Sequence, residues 1–180
     1  APDAVYSVNW SPDGKYIISA SKFGNYLMLW RVADGELLWE TIMDAEVECV
    51  TFSPDGQYFA AGDEAFMVTI FDKQGNLVRA LEHDAAFDGI TWSPDGQYVA
   101  SGSEKGEVVL WNASTWEKER ILQAGSTVNS LQFSKDASKL IAAGNKANSD
   151  ESEGWDRHGF VKAWDVSADW QVLFEIRAQE

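Results

Sequence analysis

Cysteine is almost missing from this chain. The single Cys49 cannot form an internal disulfide, and its place in the apolar stretch VECVTF reads as a small buried core residue rather than a nucleophile. Histidine is nearly as scarce: His83 and His158 lie far apart, and no Cys/His cluster has the spacing of a zinc site. No run of about 18 apolar residues occurs, so no segment reads as a membrane-spanning helix. Positive charge is the other shortage. Fourteen Lys and Arg against 29 Asp and Glu give a net charge of -15, which repels phosphate backbones and anionic lipid and argues against a nucleic-acid or membrane partner. A basic partner stays open. No glycine-rich phosphate loop follows a strand pattern, and no GxSxG elbow is present. Carboxylates are abundant everywhere, so no pair stands out as acid and base. The acidic stretch SDESEGWDRH gathers Asp150, Glu151, Glu153, Asp156 and His158, but it has neither the alternating Asp/Asn series nor the bend glycine of a calcium loop and reads as solvated. The sequence therefore assigns no catalytic residue, no metal and no cofactor. The opening APDAV has no initiator methionine and no cleavable apolar segment. A trimmed signal peptide and a domain boundary both stay open, with a cytoplasmic setting favoured over a secreted or periplasmic one.

What the chain does have is repetition. Its 180 residues, 45% hydrophobic and 24% charged, are enough for a domain with a substantial core. The phrase SPDG stands at Ser11–Gly14, Ser53–Gly56 and Ser93–Gly96, and SKDA takes its place at Ser134–Ala137. An aromatic precedes each copy (Trp10, Phe52, Trp92, Phe133), and another follows it later in the repeat (Trp30, Phe71, Trp111, Trp164). The last of these comes about 12 residues late, which locates an interruption between Asn145 and Gly159. A period near 40 residues signals stacked supersecondary units.

Each unit carries four short strand signals rich in β-branched and aromatic side chains. They are VYSVNW, VECVTF, FDGITW and VNSLQF before the phrase; YIISA, YFAAG, YVASG and LIAAG after it; then YLMLWRV, MVTIFDK, EVVLWNA and FVKAWDV; and finally ELLWETI, LVRALE, KERILQA and QVLFEIR. Four strands connected up and down form a small twisted sheet whose two faces both need cover, which radial stacking against neighbouring sheets supplies. The predicted fold is all-β, with four four-stranded antiparallel blades over about 4–43, 46–83, 86–124 and 127–178 in a single 1–180 domain. SPDG is the turn between the first and second strands: Ser bonds nearby backbone, Pro presets φ, and Gly supplies positive φ. In the fourth copy Lys135 replaces Pro and Ala137 replaces Gly. If the geometry is kept, Ala137 at positive φ costs on the order of 1 kcal/mol, making this turn the loosest of the four.

The aromatic before SPDG, the small-residue strand and the strand ending WR, FD, WN or WD resemble the WD-repeat β-propeller family, and LEHDAAFDGITWSPDGQYVASGSEKGEVVLWNAS carries the resemblance best. It implies a buried network of His, Ser or Thr, Trp and Asp in each blade. The Asp position holds Gly24, Ala65, Lys105 and His158, so no repeat is complete, and only the third combines His83 with Ser101 and Trp111 as a structural network. Blade cohesion then leans on apolar packing.

The resemblance also implies a closed ring. Four whole blades of ordinary wedge angle cover roughly half of one and leave two apolar blade faces bare, which marks an association surface. A tight four-bladed ring, a fragment of a longer propeller, and a twofold homodimer of eight blades all answer this, the homodimer narrowly ahead. The rim opposite the SPDG turns, where the family binds partners, is expected to display Lys22 and Phe23, Asp44 and Glu46, Asp63 to Phe66, Glu82 and Asp84, Glu104, and Trp155 and Asp156 of the long interruption. Aromatics ringed by acid suit a protein or peptide partner, basic by preference. The expected function is a noncatalytic scaffold for protein–protein interaction that self-associates. The alternatives are a purely structural self-assembling unit and a ligand-binding or hydrolytic propeller of the periplasmic type; Trp30, Trp111 and Trp164 tilt against the last.

Overall fold

The computed structural model describes residues 4–21, 23–85, 87–145 and 159–177, with only the backbone of 87 and 88. The expectations for Lys22, Trp155, Asp156, His158 and most of the 145–159 interruption lie outside the described residues.

Sixteen strands form four antiparallel sheets, each in simple up-and-down order. The first holds β1(Val5–Trp10), β2(Tyr16–Ser21), β3(Tyr26–Arg31) and β4(Leu37–Ile42). The second holds β5(Val47–Phe52), β6(Tyr58–Asp63), β7(Met67–Asp72) and β8(Leu77–Glu82). The third holds β9(Phe87–Trp92), β10(Tyr98–Ser103), β11(Glu107–Asn112) and β12(Lys118–Gln123). The fourth holds β13(Thr127–Phe133), β14(Lys139–Asn145), β15(Gly159–Asp165) and β16(Gln171–Arg177). The architecture is all-β, with the sheets as blades of a β-propeller. No helix among the described residues is long and apolar enough to cross a membrane.

The chain packs as two compact units, Ala1–Ala86 and Phe87–Glu180, each holding two blades. In the first unit, Ile18, Ala20, Leu27 and Leu29 of blade 1 meet Val47, Val50, Phe52, Phe59, Ala61 and Phe71 of blade 2. In the second, Ala100, Val108, Leu110 and Leu122 of blade 3 meet Val128, Leu131, Phe133, Leu140 and Trp164 of blade 4. Each such large side chain contributes about 1.5 to 3 kcal/mol when fully buried. Polar bonds align the first interface: the amides of Val50 and Phe52 donate to Ser7 Oγ (3.2 Å) and Asn9 Oδ1 (3.0 Å).

All four strand-connecting turns close the same way. Ser Oγ donates to the Asp two residues on (Ser11 to Asp13 at 2.7 Å; Ser53 to Asp55, Ser93 to Asp95 and Ser134 to Asp136 at 2.6 Å). The same hydroxyl accepts the amide at the start of the next strand, from Tyr16, Tyr58, Tyr98 and Lys139 at 2.8–2.9 Å. These bonds hold the Asp13 and Asp136 carboxyls below the usual range, the Ser hydroxyl being the first cause in both. With the folded value depressed, their contribution is present above the unfolded pKa and is lost as pH falls through the folded one.

The fourth turn keeps this geometry without its glycine. Ala137 sits at φ 58, beside φ 68, 65 and 73 for Gly14, Gly56 and Gly96. Ala137→Gly should therefore stabilise the protein by about 1 kcal/mol, seen as a higher urea midpoint at unchanged slope; an unchanged or lower midpoint would show that the turn carries no strain.

Candidate interaction surfaces

Exposed apolar groups line one face of β1. On β1, Ser7 and Asn9 face blade 2, so the alternate residues Tyr6, Val8 and Trp10 face away from it. Val8 and Trp10 are 61% and 57% exposed, whereas Val50 and Phe52, at the same register in blade 2, are 5% and 8% exposed beneath blade 1. Blade 4 repeats the contrast in the second unit: Ile141 and Ile176 are exposed, while their blade 3 counterparts Ala100 and Leu122 are buried.

In the first unit, the connections opposite the SPDG turns display Phe23, Asp44, Glu82 and Asp84 as exposed groups, with Glu46 half-buried. Phe66 is 43% exposed and adopts φ 65. At the same point of the β2–β3 and β10–β11 turns stand Asn25 and Gly106, residues suited to that region. All three are held alike: their carbonyls accept the amides of Met43 (2.9 Å), His83 (2.8 Å) and Ala124 (2.8 Å). Nothing in the turn's own bonding requires an aromatic there, and strain of this kind concentrates at functional sites.

Two acidic residues, Asp63 and Glu64, precede Phe66 in its turn. Asp63 is buried and accepts the amides of Ala65 (3.0 Å) and Met67 (3.1 Å). Its carboxyl is pushed above the usual range, by burial first and then by the charge of Asp44, against the lowering effect of those two amides. Ser21 and Ser103 do the same bonding at this register in blades 1 and 3, so a carboxylate is an addition specific to blade 2. Carboxylate oxygens of Glu46, Glu48 and Glu64 lie within 4.8 Å of one another in the same unit. Glu64 falls within the expected Asp63 to Phe66 stretch, whereas Glu48 was not singled out, because only the pairing of β5 with the end of β6 brings it and Glu64 to Glu46.

Of the structural network, His83 is buried in the first unit, and in the second Trp111 Nε1 donates to Ser101 Oγ at 3.0 Å. Sequence reading missed a second such pair: Trp30 Nε1 donates to Ser19 Oγ at 2.8 Å. The β2–β3 connection is one residue longer than β10–β11, which hides the match in linear spacing.

A family model for the WD domain, G-beta repeat (WD40), matches residues 1–31, 41–72 and 75–112. Telomerase protein component 1 of Rattus norvegicus is 32% identical over 65 residues, and that of Mus musculus 34% over 65 residues. Each match covers 36% of this chain and 2% of the relative. Among solved structures, Kuenenia stuttgartiensis hydrazine synthase superposes on 98% of this chain and 49% of its own with a TM-score of 0.87 at 18% identity, a likeness of fold. With the repeat model covering more than half of its residues, the chain belongs to the WD40 family.

Proposed function

We propose that the protein is a noncatalytic WD-repeat scaffold whose bare blade faces close against a second copy and whose acidic rim receives a basic protein segment. The observation that carries the first part is the pair Val8 and Trp10, left open at the register where Val50 and Phe52 are covered. Apolar groups at a register built for blade-to-blade packing call for another blade. A twofold copy supplies one in each direction and gives eight blades; further blades of a longer chain would cover the same faces. Light scattering coupled to size exclusion separates the two. The expected mass is twice the 20.0 kDa of the chain, falling to the monomer on Trp10→Glu. A concentration-independent 20.0 kDa species would overturn self-association.

Phe66 supports the second part. An exposed aromatic kept in a strained turn among carboxylates is the composition of an interface anchor. Phe66→Gly should raise stability by about 1 kcal/mol and weaken binding to lysine- and arginine-rich peptides. Unchanged peptide binding together with the gain in stability would remove Phe66 from the interface.

A further inference from the structure

We propose that the cleft between the β1–β2 and β5–β6 turns of the first unit binds an aromatic side chain flanked by basic residues on a partner polypeptide. This site is at the opposite end of the strands from Phe66 and does not depend on ring closure. The cleft has a volume of about 560 Å³, within the roughly 300–1,000 Å³ of ligand pockets. Its walls include Tyr16, Leu29, Trp39 and Phe52, and its mouth Asp13 and Asp55.

The second unit shows what this arrangement accepts. Tyr98 and Phe133 stand there at the registers of Tyr16 and Phe52. Trp170 occupies the space against them, its ring edge-on to Tyr98 at 5.5 Å and to Phe133 at 6.5 Å. Two successive residues at positive φ, Asp169 (53) and Trp170 (64), bend the β15–β16 connection inward to deliver that indole. Beside it Arg120 pairs with Asp169 at 2.6 Å.

In the first unit the same connection, between β7 and β8, is one residue shorter and carries no aromatic. Lys73 and Gln74 from it only line the cleft. Gly75 stands at the register of Trp170, and a Cβ there would fall 2.1 Å from the Trp39 ring, so that indole packs directly on the loop where a side chain would start. Trp39 is held by Phe59 (5.7 Å) and Phe71 (5.8 Å) and forms one wall of the cleft. Tyr16 is left with no ring against it among the described residues. The space against Tyr16, filled against Tyr98 by Trp170 in the second unit, belongs in the first unit to the cleft.

Charge selects the flanks of the incoming group. Asp13 and Asp55 are fixed by their serines at 2.7 and 2.6 Å, Lys73 lines the cleft, the exposed Lys15 pairs with Asp13 at 3.5 Å, and the whole chain is at -15. An aromatic entering between two carboxylates is favoured when its neighbours are cationic.

The test uses ¹⁵N-labelled protein and three peptides: Ac-Lys-Trp-Lys-NH2, Ac-Glu-Trp-Glu-NH2 and Ac-Lys-Ala-Lys-NH2, with free indole alongside. The lysine–tryptophan peptide should saturably shift the Gly56 and Gln57 amides and the Trp39 indole proton. The glutamate-flanked peptide should bind about tenfold more weakly, and the alanine peptide and indole should leave these signals in place. Gln74→Trp, which supplies an indole from the protein's own loop, should abolish the shifts. If that variant fails to fold, Asp13→Asn with Asp55→Asn should bind the two tryptophan peptides equally. Equal shifts from all three peptides, saturable binding of indole alone, or shifts centred away from the cleft would overturn the assignment.

Discussion

Phe59→Ala is expected to destabilise the first unit by about 3 to 5 kcal/mol, the cost of deleting a fully buried phenyl. Phe59 has no exposed surface and stands among three other rings. It stacks on Phe71 at 5.3 Å with 17° between planes, takes Phe52 edge-on at 5.9 Å, and meets Trp39 at 5.7 Å. Trp39 belongs to blade 1 and the others to blade 2, so the deletion opens a cavity at the blade interface itself. The three remaining rings come from three different strands and cannot collapse into the void together, which places the loss toward the upper part of the range. Phe59→Leu, the residue blade 4 carries at this register as Leu140, should retain most of the stability. Equilibrium urea unfolding decides it: a loss under about 1 kcal/mol for Phe59→Ala would mean that the ring cluster does not hold the two blades together.

Gly144→Ala should cost about 3 kcal/mol or more, the upper end of overpacking. One methyl group there would fall 1.8 Å from the carbonyl oxygen of Thr127, which is backbone. That backbone has no room to retreat. Thr127 Oγ1 donates to the Glu104 carbonyl of blade 3 at 3.1 Å, and Val128, paired with Gly144 across the ladder, sits so close over Gly102 that a Cβ there would meet it at 2.3 Å. Ser21, Asp63 and Ser103 occupy the same register in the other blades, where each accepts an amide of the following turn. Blade 4 replaces that short turn with the long interruption, and the position has closed onto β13. Gly159→Ala is the matched control: among the described residues its added methyl meets only the Gly144 carbonyl oxygen at 3.6 Å, an ordinary contact. It should stay within about 0.5 kcal/mol of the parent by differential scanning calorimetry, and equal losses for the two variants would refute the steric account.

Most of the fold was legible because it is written locally and four times over. Ser, Asp and the following glycine make their turn from bonds spanning two to five residues, so the repeated phrase carries its own geometry into each blade. Even the departure at Ala137 was foreseeable, since the serine and aspartate around it still dictate the same bend. The Ser19–Trp30 bond stayed hidden behind a single extra turn residue, a shift that linear spacing exposes poorly and strand register resolves at once.

Other features depend on which residue stands across from which. Phe66 reads in the sequence as one more loop aromatic; only the chain's path, with that carbonyl turned to the His83 amide, places it at φ 65. Trp39 and Trp170 are each one indole near a turn, yet Trp170 fills its cleft while Trp39 backs one that stays open, because the β7–β8 connection is a residue shorter than β15–β16. The sequence by itself determined the number of blades, their strand order and their turns, since those rest on short-range bonds and a repeated period. The tertiary structure alone decided that Phe66 takes a left-handed conformation, that a cleft opens beside Trp39 and that Glu46, Glu48 and Glu64 converge, since those depend on which residues stand across from one another.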